Sequence, residues 1–475
     1  MQIITQNILK FIKNTKVFSN EFNSSIEILS RKLLEQSLLD YKIDFESIVN
    51  DILNNCYSQF INIIKYMIIN MDEEFFNSDE RKKNYMSKGK YSRTILFLFG
   101  EITFERYYYV NKHTKKDGFF FIDKSFSLPK KYSLSNDVKN KLFYFVSELG
   151  SYSKAGKYLG EYINKNSYLD SNFKYISRAT VFNYVKNAEF NYSFLPKHRK
   201  VENIFIELDE HYISTQNYIR KNIKSNKIMV KVAKIYSNKD CGIYSDRFII
   251  IDNFKHSFMD ILYDYVSSEY DLDFVSNIYI LGDGANWIKS CKDLFDKNKS
   301  IFILDKFHAF QSVVRLVSSK DKFAYDFVSS FIFNNDLKTF KIWYQLYSNE
   351  NNHRINSIDK FYKYLINQWA SIQRAINSNV SCSMEGCISS SVADVFTSRP
   401  KAFSLKLLSN RLMLRAFYRN SFGDENTFYN FLKSSNNNYN SDSTIYYDNL
   451  DFSIFDYLYK DETYKFNFNI NTFRE

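Results

Sequence analysis

Ile204-Phe205-Ile206-Glu207-Leu208-Asp209 and Ile278-Tyr279-Ile280-Leu281-Gly282-Asp283-Gly284 are the two stretches on which the reading of this chain turns. Each is a short β-branched and aromatic run, the pattern of a buried strand, and each leads into an aspartate. A carboxylate at the end of a buried strand is costly to desolvate unless something pairs with it. Glu385 lies in Ser383-Met384-Glu385-Gly386-Cys387-Ile388, at the start of an expected helix. Each acid alone has a plainer explanation: Asp283-Gly284 as a turn, Glu385 as a charge suited to a helix N-terminus, Asp209 as a strand-end cap. Together, two strands and a helix can gather three carboxylates, for which a divalent cation is the natural partner.

The elements around these stretches set the fold class. Strands are expected near 203–209, 228–236, 243–252, 276–282 and 301–305, and helices near 255–269 and 285–296. Three strands, then helix, strand, helix, strand is the order of the RNase H-like fold: an α/β core on a mixed five-stranded sheet. A helical insertion is expected at about 310–380. Glu385 to Phe396 then reads as one helix with Ile388, Val392 and Phe396 on the face of Glu385, which puts a charge on a core-facing stripe.

The chain has 475 residues, 45% hydrophobic and 18% aromatic, enough to bury substantial cores. Its net charge of +11 is unevenly spread. Residues 1–80 hold 7 Lys/Arg against 12 Asp/Glu, residues 81–200 hold 24 against 9, and residues 201–475 hold 33 against 32. A basic excess confined to one segment suits a nucleic-acid contact surface beside a neutral body. Five scattered cysteines, none in a CxxC pair, suggest reduced thiols and a cytoplasmic protein. No secretory signal and no apolar run long enough to span a bilayer is apparent.

Four regions are expected: an N-terminal helical region over 1–80, a basic DNA-binding region over 81–200, a catalytic domain over 201–415, and a C-terminal region over 416–475. In the basic region, Thr94–Phe99 and Ile102–Val110 read as a hairpin joined at Gly100-Glu101. Three helices follow: Asp137–Leu149 stopped by Gly150, Lys154–Ile163, and Arg178–Asn187 capped by Ser177 with Val181, Tyr184 and Val185 inward. Three short helices in a basic segment suggest a helix-turn-helix, with Arg178, Thr180, Asn183 and Lys186 of the third reaching DNA. An ordinary packing unit is the alternative.

Several blocks carry a specific resemblance. Ile206-Glu207-Leu208-Asp209-Glu210-His211, Leu281-Gly282-Asp283-Gly284-Ala285-Asn286-Trp287-Ile288-Lys289, Leu304-Asp305-Lys306-Phe307-His308, and Ser383-Met384-Glu385-Gly386 with Ser398-Arg399-Pro400 resemble those of bacterial insertion-sequence transposases of the DDE type, in the Lre group related to Mutator-like elements. Phe99-Gly100-Glu101-Ile102 with Arg106-Tyr107-Tyr108-Tyr109, and Ser177-Arg178-Ala179-Thr180-Val181, extend the likeness over roughly residues 90–415. The resemblance implies that Asp209, Asp283 and Glu385 hold two Mg²⁺ or Mn²⁺ ions. It implies that His308 supports them and that the partners are double-stranded DNA, namely terminal inverted repeats and target DNA. A homo-oligomer, dimer or larger, in the nucleoid goes with that reading. Where the family carries a second acid and then a histidine, this chain has His211 and Tyr212. Trp287 is expected in the core rather than on a splayed base. Arg399 is open between a phosphate contact and a carbonyl cap. The other functional readings are a transposase-derived DNA-binding protein without catalysis and an RNase H-like nuclease.

Overall fold

The computed structural model describes residues 45–437, apart from 116–117, 127, 129–133, 167–174, 217–226, 241–242, 245, 319–320, 379, 381 and 399–401. Helix α1 (Phe45–Asn77) and the short α2 (Asp79–Asn84) lead into a long hairpin, β1 (Tyr85–Phe97) and β2 (Gly100–Asn111), edged by β3 (Phe119–Phe120) and α3 (Phe121–Ser125). Buried Asp72 of α1 accepts the Tyr107 N–H at 2.6 Å, and Asp123 takes Arg93 at 2.5 Å and Arg106 at 2.8 Å, so both helices are tied to the hairpin. Phe97 pairs with Gly100, which makes Leu98-Phe99 the turn and corrects the expected joint at Gly100-Glu101. The hairpin also starts earlier than expected, at Tyr85. Lys88 to Ser92 are exposed on both faces, so they lack the alternation by which a half-buried strand is recognised.

Helices α4 (Asn136–Leu149), α5 (Tyr152–Asn166) and α6 (Arg178–Asn187) follow close to their expected places. Gly150 ends α4 in the left-handed conformation at φ +61°, and the Ser177 hydroxyl accepts the Thr180 N–H at 3.1 Å to start α6.

The central sheet is built from β4 (Asn203–Ser214), β5 (Lys227–Tyr236), β8 (Phe248–Ile251), β9 (Asn277–Gly282) and β10 (Ser300–Leu304), with a small two-stranded ladder, β6 (Lys239–Asp240) and β7 (Ile243–Tyr244), before β8. That ladder takes residues expected in the third strand. The spatial order is β10-β9-β4-β5-β8. The first strand is therefore central: β5 and β8 meander to one side antiparallel, and β9 and β10 lie on the other side parallel. Parallel neighbours need a crossover, supplied by α7 (Phe258–Glu269) and by α8 (Asn286–Ser290) with its 3₁₀ extension Cys291–Leu294. Helices α9 (Lys306–Val317), α10 (Lys322–Phe333), α11 (Leu337–Glu350) and α12 (Ile355–Asn377) fill the stretch expected as an insertion.

Alternation divides the sheet into two faces. Ile204, Ile206, Leu208, Ile278 and Ile280 enter a core shared with α7 and α9 to α12. Ile213, Val230, Val232, Ile249 and Ile251 face α13 (Met384–Ile388), a π-helical turn at Ser389–Ala393, α14 (Asp394–Phe396) and α15 (Leu405–Asn420). Helix α15 crosses the 415/416 boundary expected from the sequence. Together with α16 (Glu425–Asn437) it also shares a core with α4, α5 and α6.

Candidate active site at the strand ends

Parallel pairing of β4 with β9 closes at Glu207↔Leu281, and that of β9 with β10 at Gly282↔Leu304. Continuing the register sets Asp209, Asp283 and Asp305 abreast, just past the ends of these two parallel ladders. The Asp305 N–H donates to the Gly282 carbonyl at 2.9 Å. Strand β4 does not stop at Asp209 as expected. It runs on to Ser214 beside β5, with the Ser214 carbonyl also accepting the Phe403 N–H at 3.2 Å, so Asp209 lies where the sheet loses β9 as a neighbour.

Each aspartate is fixed by a local backbone bond. Asp209 Oδ1 accepts its neighbour Glu210 N–H at 2.7 Å, Asp283 Oδ1 accepts the Ala285 N–H at 2.8 Å, and Asp305 caps α9 through the Phe307 N–H at 3.0 Å. Gly284, at φ +89°, turns the chain away from Asp283, and a Cβ there would stand 2.7 Å from the Gln368 amide nitrogen. The Tyr364 hydroxyl donates to the Asp283 carbonyl at 2.7 Å. Burial, with the Asp283 charge adding to it, pushes the Asp209 carboxyl up to about 6, against the Glu210 N–H and His308. Burial likewise raises Asp305, which also feels Glu207 and Glu385. His308 stands 3.9 Å from Asp305 Oδ2, so it faces two of the three aspartates.

The flank of Asp209 is braced. The Trp287 indole N–H donates to Glu210, whose other oxygen accepts the Tyr212 hydroxyl at 3.2 Å. Trp287 is partly buried with its edge on Phe258, and Lys231 lies over its ring at 5.3 Å. It is thus a core residue, as expected, with a polar duty at the site. His211 Nε2 meets the Thr397 hydroxyl at 3.0 Å.

Glu385 is exposed, and its side chain makes no hydrogen bond or ion pair among the described residues. The buried stripe of its helix runs through Met384, Cys387, Ile388, Ser391, Val392, Val395 and Phe396, which corrects the expectation that Glu385 faces the core. Glu385 follows Met384 by one residue and so points about 100° around the helix from that stripe. Among the described residues, no three His, Cys, Asp or Glu side chains converge closely enough to hold a metal ion.

The segment before Glu385 is nonetheless pinned to β4. Glu207, fully buried, accepts the Ser383 N–H at 2.9 Å, the Lys234 ammonium at 2.8 Å and the Tyr236 hydroxyl at 2.9 Å. Lys234 in turn donates to the hydroxyls of Ser383 and Tyr244. Burial works against the Lys234 ammonium, but Glu207 and Tyr244 outweigh it and its pKa is raised. Asp305, Glu207 and Glu210 were quoted within motifs yet given no role from sequence. Their signal was position: Asp305 opens an Asp-x-x-His pattern, and Glu207 interrupts an apolar strand.

Of the residues expected to touch DNA, Arg178, Asn183 and Lys186 are exposed on α6. The Thr180 hydroxyl is taken up by Ser177 at 2.9 Å, within the helix cap. Arg399 lies outside the described residues. No helix among the described residues is long and apolar enough to cross a membrane.

These features define a mixed α/β protein with acidic residues aligned at the ends of its parallel strands. The chain belongs to UPF0236, an uncharacterised protein family, whose model matches residues 38–425. It is 22% identical to the UPF0236 protein TTE0402 of Caldanaerobacter subterraneus subsp. tengcongensis, over 86% of this chain and 82% of that one. TTE1650/TTE2708 of the same bacterium is 21% identical over 83% and 82%. A third relative there, 22% identical over 75% of this chain and 74% of its own length, bears a name that joins eleven TTE designations.

Proposed function

We propose that this protein is a DDE transposase on an RNase H-like core, which binds the terminal inverted repeats of its own element and cuts and joins DNA by metal-dependent phosphoryl transfer. The observation that carries the reading is the setting of Asp209 beside Asp283 on neighbouring parallel strands, with the Asp209 carboxyl pushed up partly by the Asp283 charge. The sheet order, with the first strand central and its neighbours leaving in opposite directions, suits a site at the strand ends. The joined designations of one relative support it as well: one protein at many loci of one genome is what a self-copying DNA element leaves behind.

Asp209, Asp283 and Glu385 are the residues that would hold the metal, which would have to draw them together, since they do not converge as they stand. Their donor set is carboxylate oxygen only, which suits Mg²⁺ or Mn²⁺, and the repulsion between Asp209 and Asp283 is what a cation relieves. When bound, two such ions supply stabilisation of the attacking and leaving oxygens of an in-line displacement. The chain's own residues do the rest. Gly284 and Tyr364 fix the Asp283 turn, Trp287 and Glu210 brace Asp209, and His308 offsets carboxylate charge at Asp209 and Asp305. Arg178, Asn183 and Lys186 present the DNA-reading face of a helix-turn-helix, and the basic excess of residues 81–200 draws phosphate toward it. Synapsis of two element ends calls for a homo-oligomer, dimer or larger, working at the nucleoid.

The test is cleavage of labelled duplex taken from the DNA flanking the gene, with Mg²⁺ or Mn²⁺, by the parent and by Asp283→Ala. Nicking at a repeat boundary by the parent alone, with end binding retained in the variant, is the expected result. Cleavage that survives Asp283→Ala overturns the assignment. End-specific binding by a parent that never cuts favours the DNA-binding reading without catalysis.

A further inference from the structure

We infer that Glu207 is a positioning residue that sets the strand carrying Asp209 against the helix carrying Glu385; the inference rests on the transposase reading of that site. Glu207 precedes Asp209 by two residues on the same face of β4, and Ser383 precedes Glu385 by two residues at the head of α13. The bond from the Ser383 N–H to Glu207 at 2.9 Å therefore ties the strand of Asp209 to the segment of Glu385, two residues from each acid.

Around that bond the polar groups are fully engaged. The Ser383 hydroxyl meets Glu207 Oε2 at 3.3 Å and the Tyr244 hydroxyl at 2.7 Å, while Lys234 and Tyr236 hold the carboxylate from β5. Glu207 is 0% exposed and Lys234 3%. A buried ion pair is a poor device for stability alone, since apolar residues of the same volume commonly serve as well. What an apolar pair cannot supply is an acceptor for the Ser383 N–H, one of the orphan donors of a helix start. Ser383 makes no side-chain cap to α13, so Glu207 supplies from β4 an anchor that the helix does not supply for itself. The anchor has a direct consequence for Glu385, which has no side-chain partner among the described residues and depends on its backbone for its place.

The test compares the parent with Glu207→Gln and with the apolar double variant Glu207→Leu/Lys234→Met. Three readouts are taken: hydrogen exchange of the 382–388 segment by mass spectrometry, binding to the element's own ends, and strand cleavage. In the double variant the protein is expected to melt cooperatively and to bind ends as the parent does. Exchange in 382–388 should rise at least about tenfold through local opening. Cleavage should fall about 100-fold, the scale of an ångström's misplacement of reacting groups. Glu207→Gln, which keeps an acceptor for the Ser383 N–H, should recover part of both the protection and the cleavage. If the double variant does not fold, the Gln variant carries the test, with protection and cleavage both intermediate. Unchanged exchange, or cleavage retained despite faster exchange, overturns the inference. Failure of the parent to cleave under any divalent metal sinks the transposase reading instead, and the exchange result still decides whether Glu207 holds the segment.

Discussion

Asp209→Asn should make the protein more stable at neutral pH while removing its proposed chemistry. The magnitude follows from the raised carboxyl. A shift from 3.8 to about 6 means that the folded state prefers the protonated form, by about 3 kcal/mol as an upper bound. Solvent reaches part of this side chain, so about 1–2 kcal/mol is what screening leaves. The sign follows from proton linkage. Between pH 3.8 and about 6 the folded state binds more protons at Asp209 than the unfolded state does. The stability tied to protonated Asp209 is therefore full below pH 3.8 and lost as pH rises through 6. Asparagine keeps an oxygen for the Glu210 N–H but carries no charge to desolvate or to oppose Asp283. Thermal melts of parent and variant, run from pH 4 to pH 8 without divalent metal, should coincide at the acid end. They should separate by about 2 °C in favour of the variant at the neutral end, given the usual entropy of unfolding per residue. Added Mg²⁺ should then raise the melting temperature of the parent more than that of the variant. A variant that melts below the parent at pH 7.5, or a difference that ignores pH, refutes the account of Asp209 as a carboxylate held under electrostatic load.

Two further outcomes follow from the same geometry. Gly284→Ala places a methyl 2.7 Å from the Gln368 amide at a backbone angle of φ +89°, so it should cost about 1–3 kcal/mol in a melt and reduce cleavage by shifting Asp283. Asn183→Ala with Lys186→Ala changes exposed side chains on α6, so melting should stay within about 0.5 kcal/mol of the parent while affinity for the element's ends falls and its salt dependence becomes shallower.

The five sheet strands were readable because one face of each is apolar and the other is mixed, as in Ile204, Ile206 and Leu208 against Phe205, Glu207 and Asp209. Asp209 and Asp283 stood out for the same reason, as acids closing apolar runs. Asp305 did not, because an aspartate before a helix is already accounted for as a cap, and its lateral alignment with Asp283 exists only once β9 and β10 are paired. Glu207 was hidden more deeply. A fully buried acid inside a strand violates the alternation, and what satisfies it lies far off, at Lys234, Tyr236 and Ser383. Glu385 was placed on the right helix and the wrong face: Ile388, Val392 and Phe396 are buried together as expected, but their stripe continues back to Met384, one residue short of Glu385. The hairpin was shortened because Lys88–Ser92 is exposed on both faces and offers no hydrophobic period to follow.

Sequence order separates the helices expected to read DNA from the acids expected to act on it, but α15 joins them. Asn410 donates to the carbonyls of Val185 at 2.9 Å and Ala188 at 2.7 Å, at the end of α6. Arg411 donates to the Gly150 carbonyl at 2.8 Å and Arg415 to that of Ser147 at 2.8 Å, both at the end of α4. Arg415 also reaches the carbonyls of Ser390 at 2.6 Å and Ser391 at 3.2 Å, in the turn that follows Glu385. Cations suit helix C-termini, where carbonyls lack partners and the helix dipole is negative, which offsets part of the burial that lowers the pKa of Arg411 and Arg415. The consequence is mechanical. Helix α6 cannot shift relative to the Glu385 helix without breaking hydrogen bonds to groups that have no water to turn to. On the proposed transposase reading, cutting at a fixed distance from the bound sequence would need that separation held constant, and α15 ties the two helices with three side chains.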